Sequence, residues 1–360
     1  MQGRPTGTGR YLRSLLGHWR DKAADTFVLY FNGPGPKDPI LDHPAVTSRP
    51  VGDGRKRGIV WQEWPLPEAA RHDELDVFFA PAYSCPLRMR TPRVTTIHDL
   101  SFFSWPADFT ARDAFRRRAL VAASIQASAR IVAVSDFTRR EILTRFPAAA
   151  GRVVVVGEGP DDDLPSPPSR EAARERLRLT GQLILSVGSL LNRRRAPVLL
   201  EALRRLAHVT PALRLDIVGE NRTHPRLDLG KAAADLGLEH RVRISGFVDE
   251  VGLADRYAAA DVFVYLSEYE GFGLPVLEAM ARGVPVITST RPATGEIFKD
   301  AALLVEPTDS AAVAGAIERV LSSRTLADDL ITRGRALAAR HSWSDAAART
   351  HDLLREAAGK

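Results

Sequence analysis

Tyr265-Leu266-Ser267-Glu268-Tyr269-Glu270-Gly271-Phe272-Gly273-Leu274-Pro275-Val276-Leu277-Glu278-Ala279-Met280-Ala281 is the stretch that decides the fold class. Ala260-Asp261-Val262-Phe263-Val264-Tyr265, just before it, is apolar and β-branched and predicts a short buried strand. Pro275 to Arg282 predicts a helix. Proline suits a first helical turn, where its missing N–H costs nothing, and Gly283 suits the end. A glycine-rich loop therefore feeds a helix N-terminus. Free backbone N–H groups and the helix dipole make such a place fit for an anion. Glu270 enters the loop and Glu278 lies on the helix, so two carboxylates frame it. Two surface glutamates on an ordinary strand–loop–helix unit would be the plainer reading, and a lone Gly-x-Gly would not exceed it.

The same alternation runs through the chain. Strands are predicted at Thr26–Phe31, Asp76–Ala80, Arg93–Ile97, Arg130–Val134 and Val153–Val156, with helices at Tyr11–Trp19, Ala111–Ala129 and Asp136–Phe146, the last N-capped by Ser135. Residues 32–58 are rich in glycine, proline and charge and read as loop. Gly157 to Ser169 reads as a linker, with a solvated Asp161-Asp162-Asp163 run. Beyond it, strands at Gln182–Val187, Leu213–Val218, Val242–Ile244, Val286–Thr288 and Ala302–Val305 alternate with helices at 196–207 and 226–236 and one ending at Tyr257. Such alternation means parallel sheets covered on both faces. The chain is thus α/β, in two similar halves.

Composition narrows the function. At 360 residues the chain has room for two ordinary domains. No apolar run approaches the ~20 residues that span a bilayer, and Met1-Gln2-Gly3-Arg4-Pro5 has no apolar signal core. A single cysteine, Cys85, excludes an internal disulfide and argues against a thiolate metal cluster. A cytoplasmic protein is expected. The net charge of +6 fits anionic small molecules, a loose contact with an anionic membrane at its inner face, or merely solvated basic faces; no nucleic-acid motif accompanies it.

Two glutamates separated by seven residues, in Glu270-Gly271-Phe272-Gly273-Leu274-Pro275-x-x-Glu278-Ala279-Met280-Ala281-x-Gly283-x-Pro285-Val286, resemble the signature of retaining GT-B glycosyltransferases of glycosyltransferase family 4. The resemblance extends from Thr6 to the final helix after His341-Ser342-Trp343-Ser344. It implies GT-B architecture: two Rossmann-like parallel-sheet domains facing across a cleft. The expected bounds are an acceptor-side domain at 1–165, a nucleotide-sugar domain at 166–340, and a helix at 341–360 crossing back to the first domain. Thr6-Gly7-Thr8-Gly9-Arg10-Tyr11, Ile97-His98-Asp99-Leu100 and Val134-Ser135-Asp136-Phe137-Thr138 are closest to bacterial mannosyltransferases of polysaccharide assembly. GDP-mannose is therefore the first expectation for the donor, with a saccharide or lipid-linked acceptor. In the family the Thr6–Gly9 loop follows a first strand. Here five residues precede it, including Gly3 and Pro5, so the N-terminal sheet is expected to lack that strand.

The resemblance also implies roles. Arg193 and Arg194, in the loop after Val187-Gly188-Ser189, would grip the donor diphosphate; Arg194 stands where the family has lysine, which keeps the charge and changes the shape. Glu278 would bind the ribose and Glu270 would face the transferred sugar. Gly271, Phe272, Gly273 and Leu274 would offer backbone N–H groups. Phe247 and Val248, after Gly246, would flank the base. His98 would meet the sugar or diphosphate, and Gly7 and Gly9 would let backbone approach the diphosphate or acceptor. Fixed cations stabilise a departing diphosphate, so neither a metal nor a cofactor is expected, and no Asp-x-Asp motif stands in a suitable context. Two readings stay open: a retaining, metal-independent transferase, and a GT-B protein that binds a nucleotide or partner without turnover.

Overall fold

The computed structural model describes residues 7–20, 25–54, 58–161 and 164–360. Thr6 of the expected glycine loop and Asp162 and Asp163 of the acidic run lie outside them. The chain divides into two compact units. Unit 1 comprises residues up to Leu100, Phe115–Glu158 and Ser342–Lys360; unit 2 comprises Ser101–Ala114 and Gly159–His341.

In unit 1 the strands are β1 (Phe27–Phe31), β2 (Val46–Pro50), β3 (Phe78–Ala80), β4 (Arg93–Ile97), β5 (Arg130–Ala133) and β6 (Val153–Val155). They form two parallel sheets, β1-β2 and β3-β4-β5-β6, and among the described residues no strand joins the two. Strand β2 corrects the sequence reading, which left 32–58 without regular structure. Its residues, Val-Thr-Ser-Arg-Pro, carry little apolar pattern and only Val46 is buried. Pairing with β1 from Phe27↔Val46 to Phe31↔Pro50 organises it, so a tertiary contact overrides weak local preference. The expected loop at Gly7–Gly9 is also corrected: a helix runs Gly7–Trp19 and its first turn holds both glycines. Its buried face of Tyr11, Leu15, Leu16 and Trp19 has helical spacing, and that packing outweighs the poor helix propensity of glycine.

The last helix, Trp343–Ala357, is N-capped by Ser342 and belongs to unit 1. It packs on the first helix. The Trp19 indole N–H donates to the Ala347 carbonyl at 2.8 Å, and the Tyr11 and Trp343 rings meet edge to face at 5.7 Å. Arg130 Nη2 and Glu356 Oε1 lie 2.9 Å apart at the far end.

Unit 2 holds β7 (Leu183–Val187), β8 (Arg214–Val218), β9 (Val242–Ser245), β10 (Val262–Tyr265), β11 (Val286–Ser289) and β12 (Leu303–Val305). All pair in parallel, in the order β12-β11-β10-β7-β8-β9. Counted within the unit this is 3-2-1-4-5-6, the doubly wound order of Rossmann folds. The direction of winding reverses between β7 and β10. Leu199, Leu203, Ile217, Val264, Ile287 and Ile317 lie in the core between sheet and helices. Asp261 ties the entry of β10 to its neighbours: it accepts from the Leu183 backbone N–H at 2.7 Å and pairs with Arg170 at 2.5 Å.

Candidate active site

In open α/β sheets ligands bind beyond the carboxyl ends of the strands, at the point where the order reverses. In unit 2 the loops leaving that point are those after β7 and β10. They carry Arg193 and Arg194 on one side and Glu270 to Leu274 on the other. The sheet topology thus brings together residues some 76 positions apart in the chain.

Arg194 donates through Nε to Glu270 Oε1 at 2.7 Å and through Nη1 to the Ser189 carbonyl at 2.8 Å. Its guanidinium lies 5.1 Å from the centre of the Tyr265 ring. Gly188 has φ +131°, and a Cβ there would come within 2.6 Å of Arg194 Nη1. Glycine at this strand end is what lets the guanidinium cross it. Arg193 is buried; its Nε donates to the Tyr269 carbonyl at 3.1 Å and its Nη1 to Asp108 at 2.8 Å. Arg195, with φ 44°, pairs with Glu268.

Glu270 is buried and accepts from Arg194, from the Tyr265 hydroxyl at 2.9 Å and from the Ser267 hydroxyl at 2.9 Å. Burial alone would raise its pKa. Arg194 and Arg193 overcome that and hold the carboxyl at about 2. It is a carboxylate at neutral pH, an acceptor and a fixed negative charge rather than a proton donor. Burial pushes the Tyr265 phenol well above 10, so it keeps its proton and donates.

Gly273 caps the helix Leu274–Ala281 with φ +116°. A Cβ there would meet Phe298 at 3.0 Å and Thr294 at 3.3 Å, so both backbone angle and space call for glycine. Phe272 is buried edge-on against Phe298 and His341. Glu278, one helical turn in, is buried and accepts from the Tyr257 hydroxyl at 3.0 Å. It lines a cavity of about 310 Å³ with Pro160, Asp161, Leu164 and Arg282. Phe247 and Val248 follow β9 at the edge of the sheet, and Phe247 is exposed.

In unit 1 His98 follows β4. Its Nε2 lies 2.9 Å from the Pro81 carbonyl, which can only accept, and its Nδ1 lies 3.1 Å from Glu158. Burial lowers its pKa, but the Glu158 carboxylate and the Pro81 carbonyl outweigh burial and raise it. The Tyr11 ring meets the imidazole edge to face at 4.8 Å. Both ring nitrogens are therefore engaged within unit 1. Gly9 is buried and Gly7 exposed, on the first turn of the Gly7–Trp19 helix.

Sequence reasoning missed the partners. Tyr265 read only as a strand residue, and Ser267, Tyr257, Asp108 and Glu158 drew no notice. Ser267 and Tyr265 stand three and five residues before Glu270, and polar groups at the end of a buried strand are a signal that could have found them. Nothing local points to Asp108 or Glu158, which lie 85 and 60 residues from the side chains they meet.

Comparison with known proteins identifies the family. The family description "Glycosyltransferase Family 4" matches residues 5–164, and "Glycosyl transferases group 1" matches residues 169–337. The chain is 32% identical over 279 residues to O-antigen chain mannosyltransferase B of Escherichia coli, covering 76% of this chain and 72% of that one. In structure it is similar to sucrose-phosphate synthase from Thermosynechococcus elongatus, with a TM-score of 0.80, 24% identity and coverage of 98% and 93%. It is also similar to Anabaena HepE solved with UDP and glucose, at TM-score 0.75, 20% identity and coverage of 98% and 97%. Parallel α/β units, the two-glutamate sequence motif and both family matches lead to one conclusion: the chain belongs to the group 1, family 4 glycosyltransferases and has the GT-B fold.

Proposed function

We propose that the protein transfers a sugar, mannose in the first instance, from a nucleoside-diphosphate sugar to a saccharide or lipid-linked acceptor, with retention at the anomeric carbon and without a metal. The observation that carries this is the pairing of Arg193 and Arg194 with the Glu270 loop where the strand order reverses. Fixed guanidinium groups there stabilise the charge that grows on a departing diphosphate. The mannosyltransferase relative supports the choice of sugar, and the UDP bound in the HepE neighbour supports a nucleotide ligand.

The step we favour is attack from the face of the leaving group. The acceptor hydroxyl oxygen bonds to the anomeric carbon as the carbon–oxygen bond to the diphosphate breaks, and a diphosphate oxygen takes the hydroxyl proton. Glu270 supports this over a carboxylate nucleophile: a carboxylate that two guanidinium groups hold ionised down to a pKa of about 2 is weakly basic and a poor nucleophile. Arg193 and Arg194 bind phosphate, Glu278 the ribose, Phe247 and Val248 the base, and Gly271 to Leu274 the sugar and phosphate. Gly7, Gly9 and His98 serve from unit 1. His98 does so as a ring fixed by Glu158 and the Pro81 carbonyl rather than as a nucleophile.

The two glutamates give the test. The ribose is common to donor and free diphosphate, whereas the sugar is not. Glu278→Gln is expected to weaken GDP and GDP-mannose alike in titration calorimetry. Glu270→Gln is expected to leave GDP binding nearly unchanged and to lower turnover. The reverse pattern sinks the assignment. If the parent binds GDP-mannose but turns over no sugar nucleotide with any acceptor offered, the non-catalytic reading takes its place.

The reading includes contact with an anionic membrane surface. No helix among the described residues is long and apolar enough to cross a membrane. Unit 1, however, exposes Ile59, Val60, Trp64 and Leu87, with Arg88 5.0 Å from the Trp64 ring and exposed Arg90 nearby. Glu63 is turned inward onto the Leu87 backbone N–H at 2.9 Å, while Glu68, one turn after Trp64, is exposed. An apolar face rimmed by arginine suits lipid headgroups over acyl chains. Flotation with phosphatidylglycerol vesicles, against phosphatidylcholine alone, tests this. Binding that Trp64→Ser and Arg88→Ser do not reduce excludes this face.

A further inference from the structure

Three donors converge on Glu270, and all three meet the same oxygen. Arg194 Nε reaches Oε1 at 2.7 Å, the Tyr265 hydroxyl at 2.9 Å and the Ser267 hydroxyl at 2.9 Å. No hydrogen bond from the described residues reaches Oε2, although the side chain keeps 9% of its surface exposed. An ionised carboxylate has about four acceptor sites. Here the protein occupies those of one oxygen and leaves the other.

We propose that Tyr265 and Ser267 are positioning residues for glycosyl transfer: they clamp Oε1 so that Oε2 alone is presented to the hydroxyls of the transferred sugar. The inference rests on the reading of Glu270 as the sugar-facing residue and adds what sets its direction. Three donors on one oxygen, rooted in β10 (Tyr265), the turn after it (Ser267) and the loop after β7 (Arg194), fix the position of Oε1 in space. The remaining freedom is small, because Tyr265 and Ser267 are 2% and 1% exposed. Neither hydroxyl competes for the ligand, since each already donates to Oε1. Tyr265 has a second task. Its ring faces the Arg194 guanidinium, so it orients the cation whose Nε completes the clamp.

A carboxylate held this way differs from one free to rotate. A sugar hydroxyl that donates to Oε2 keeps that bond as charge builds at the anomeric carbon, because the acceptor does not turn away. A swinging carboxylate binds the ground state as well but loses alignment when the sugar ring flattens. The clamp should therefore act on turnover and on the sugar's share of binding, and not on the nucleotide.

The test uses the full chain with GDP, UDP, GDP-mannose and UDP-glucose as probes. Titration calorimetry gives the affinity of each, and nucleoside diphosphate release gives turnover. Tyr265→Phe and Ser267→Ala are each expected to lower kcat by about tenfold and to shrink the advantage of sugar nucleotide over free diphosphate. GDP and UDP affinity should stay within about twofold of the parent. Ser267→Thr, which keeps the hydroxyl, should restore most of the loss; unchanged melting of the variants separates positioning from misfolding. If Glu270→Gln lowers turnover while Tyr265→Phe and Ser267→Ala do not, the clamp is wrong and the reading of Glu270 stands. If either hydroxyl variant weakens GDP as much as GDP-mannose, the clamp is equally wrong. If Glu270→Gln behaves as the parent, or no sugar nucleotide binds, the reading of the site fails and the clamp with it.

Discussion

Replacing Arg194 by methionine removes a charge from beside a buried carboxylate and keeps much of the volume. The Glu270 side chain is 9% exposed and that of Arg194 18%, with Nε and Oε1 2.7 Å apart. The carboxyl is lowered from 4.5 to about 2 although burial acts the other way. At 1.36 kcal/mol per unit the net effect is worth roughly 3 kcal/mol, part of it supplied by Arg193. Without Arg194, burial gains against the remaining cation and the carboxylate sits in the protein short of its partner. A loss of about 3 kcal/mol at pH 7 is expected, in the range for breaking buried pairs from one side. The sign with pH follows from a depressed acid. The contribution is complete above 4.5 and is lost as pH falls through about 2. The gap between parent and Arg194→Met should therefore shrink to less than half between pH 7 and about pH 3. Urea unfolding at both pH values measures it. Arg194→Met with Glu270→Gln should recover much of the loss, since the neutral amide oxygen can still accept from Tyr265 and Ser267. A gap that is absent at pH 7, or constant down to pH 3, refutes the electrostatic account of Glu270.

Glu158→Gln removes the main group that holds the His98 pKa up against burial, and the pKa then falls from its raised value. A raised histidine stabilises below its unfolded value and loses that contribution as pH rises through the folded value; urea midpoints between pH 5 and 9 should thus show the variant weakest at the acid end. Gly188→Ala puts a Cβ 2.6 Å from Arg194 Nη1 at φ +131°; displacing that guanidinium should weaken GDP binding, read by calorimetry. Gly273→Ala must accept φ +116° and a contact of 3.0 Å with Phe298; a loss of about 1–3 kcal/mol is expected in urea unfolding.

The strand Val262–Tyr265 and the helix Leu274–Ala281 were legible in sequence because their causes are local. A β-branched apolar run, a glycine loop and a proline in the first helical turn act within a few residues. Alternation of such units sufficed for parallel α/β halves. The paired glutamates sufficed for the family, because that chemistry keeps its residues at fixed spacing on one helix and its loop. Strand β2 was not legible. Val46 to Pro50 carries almost no strand pattern of its own and acquires its conformation from β1. The Gly7–Gly9 turn likewise takes a helical form because Tyr11, Leu15, Leu16 and Trp19 require one continuous face.

The candidate site divides the same way. Which residues carry charge and which loops carry them could be read directly. What each charge meets could not. Arg194 finds Glu270 because β7 and β10 are neighbours in the sheet, although β8 and β9 separate them in the chain. The same adjacency makes a basic loop and an acidic motif into one buried ion pair, and sets all three hydroxyl and guanidinium donors on a single oxygen. His98 is decided in the same manner: Pro81 reaches one nitrogen from the loop after β3, which adjoins β4, and Glu158 the other from the loop after β6, two strands away in the β3-β4-β5-β6 sheet. Residue identity specifies the chemical groups available. Strand order specifies which of them come within hydrogen-bonding distance, and with that the protonation state and direction each one has.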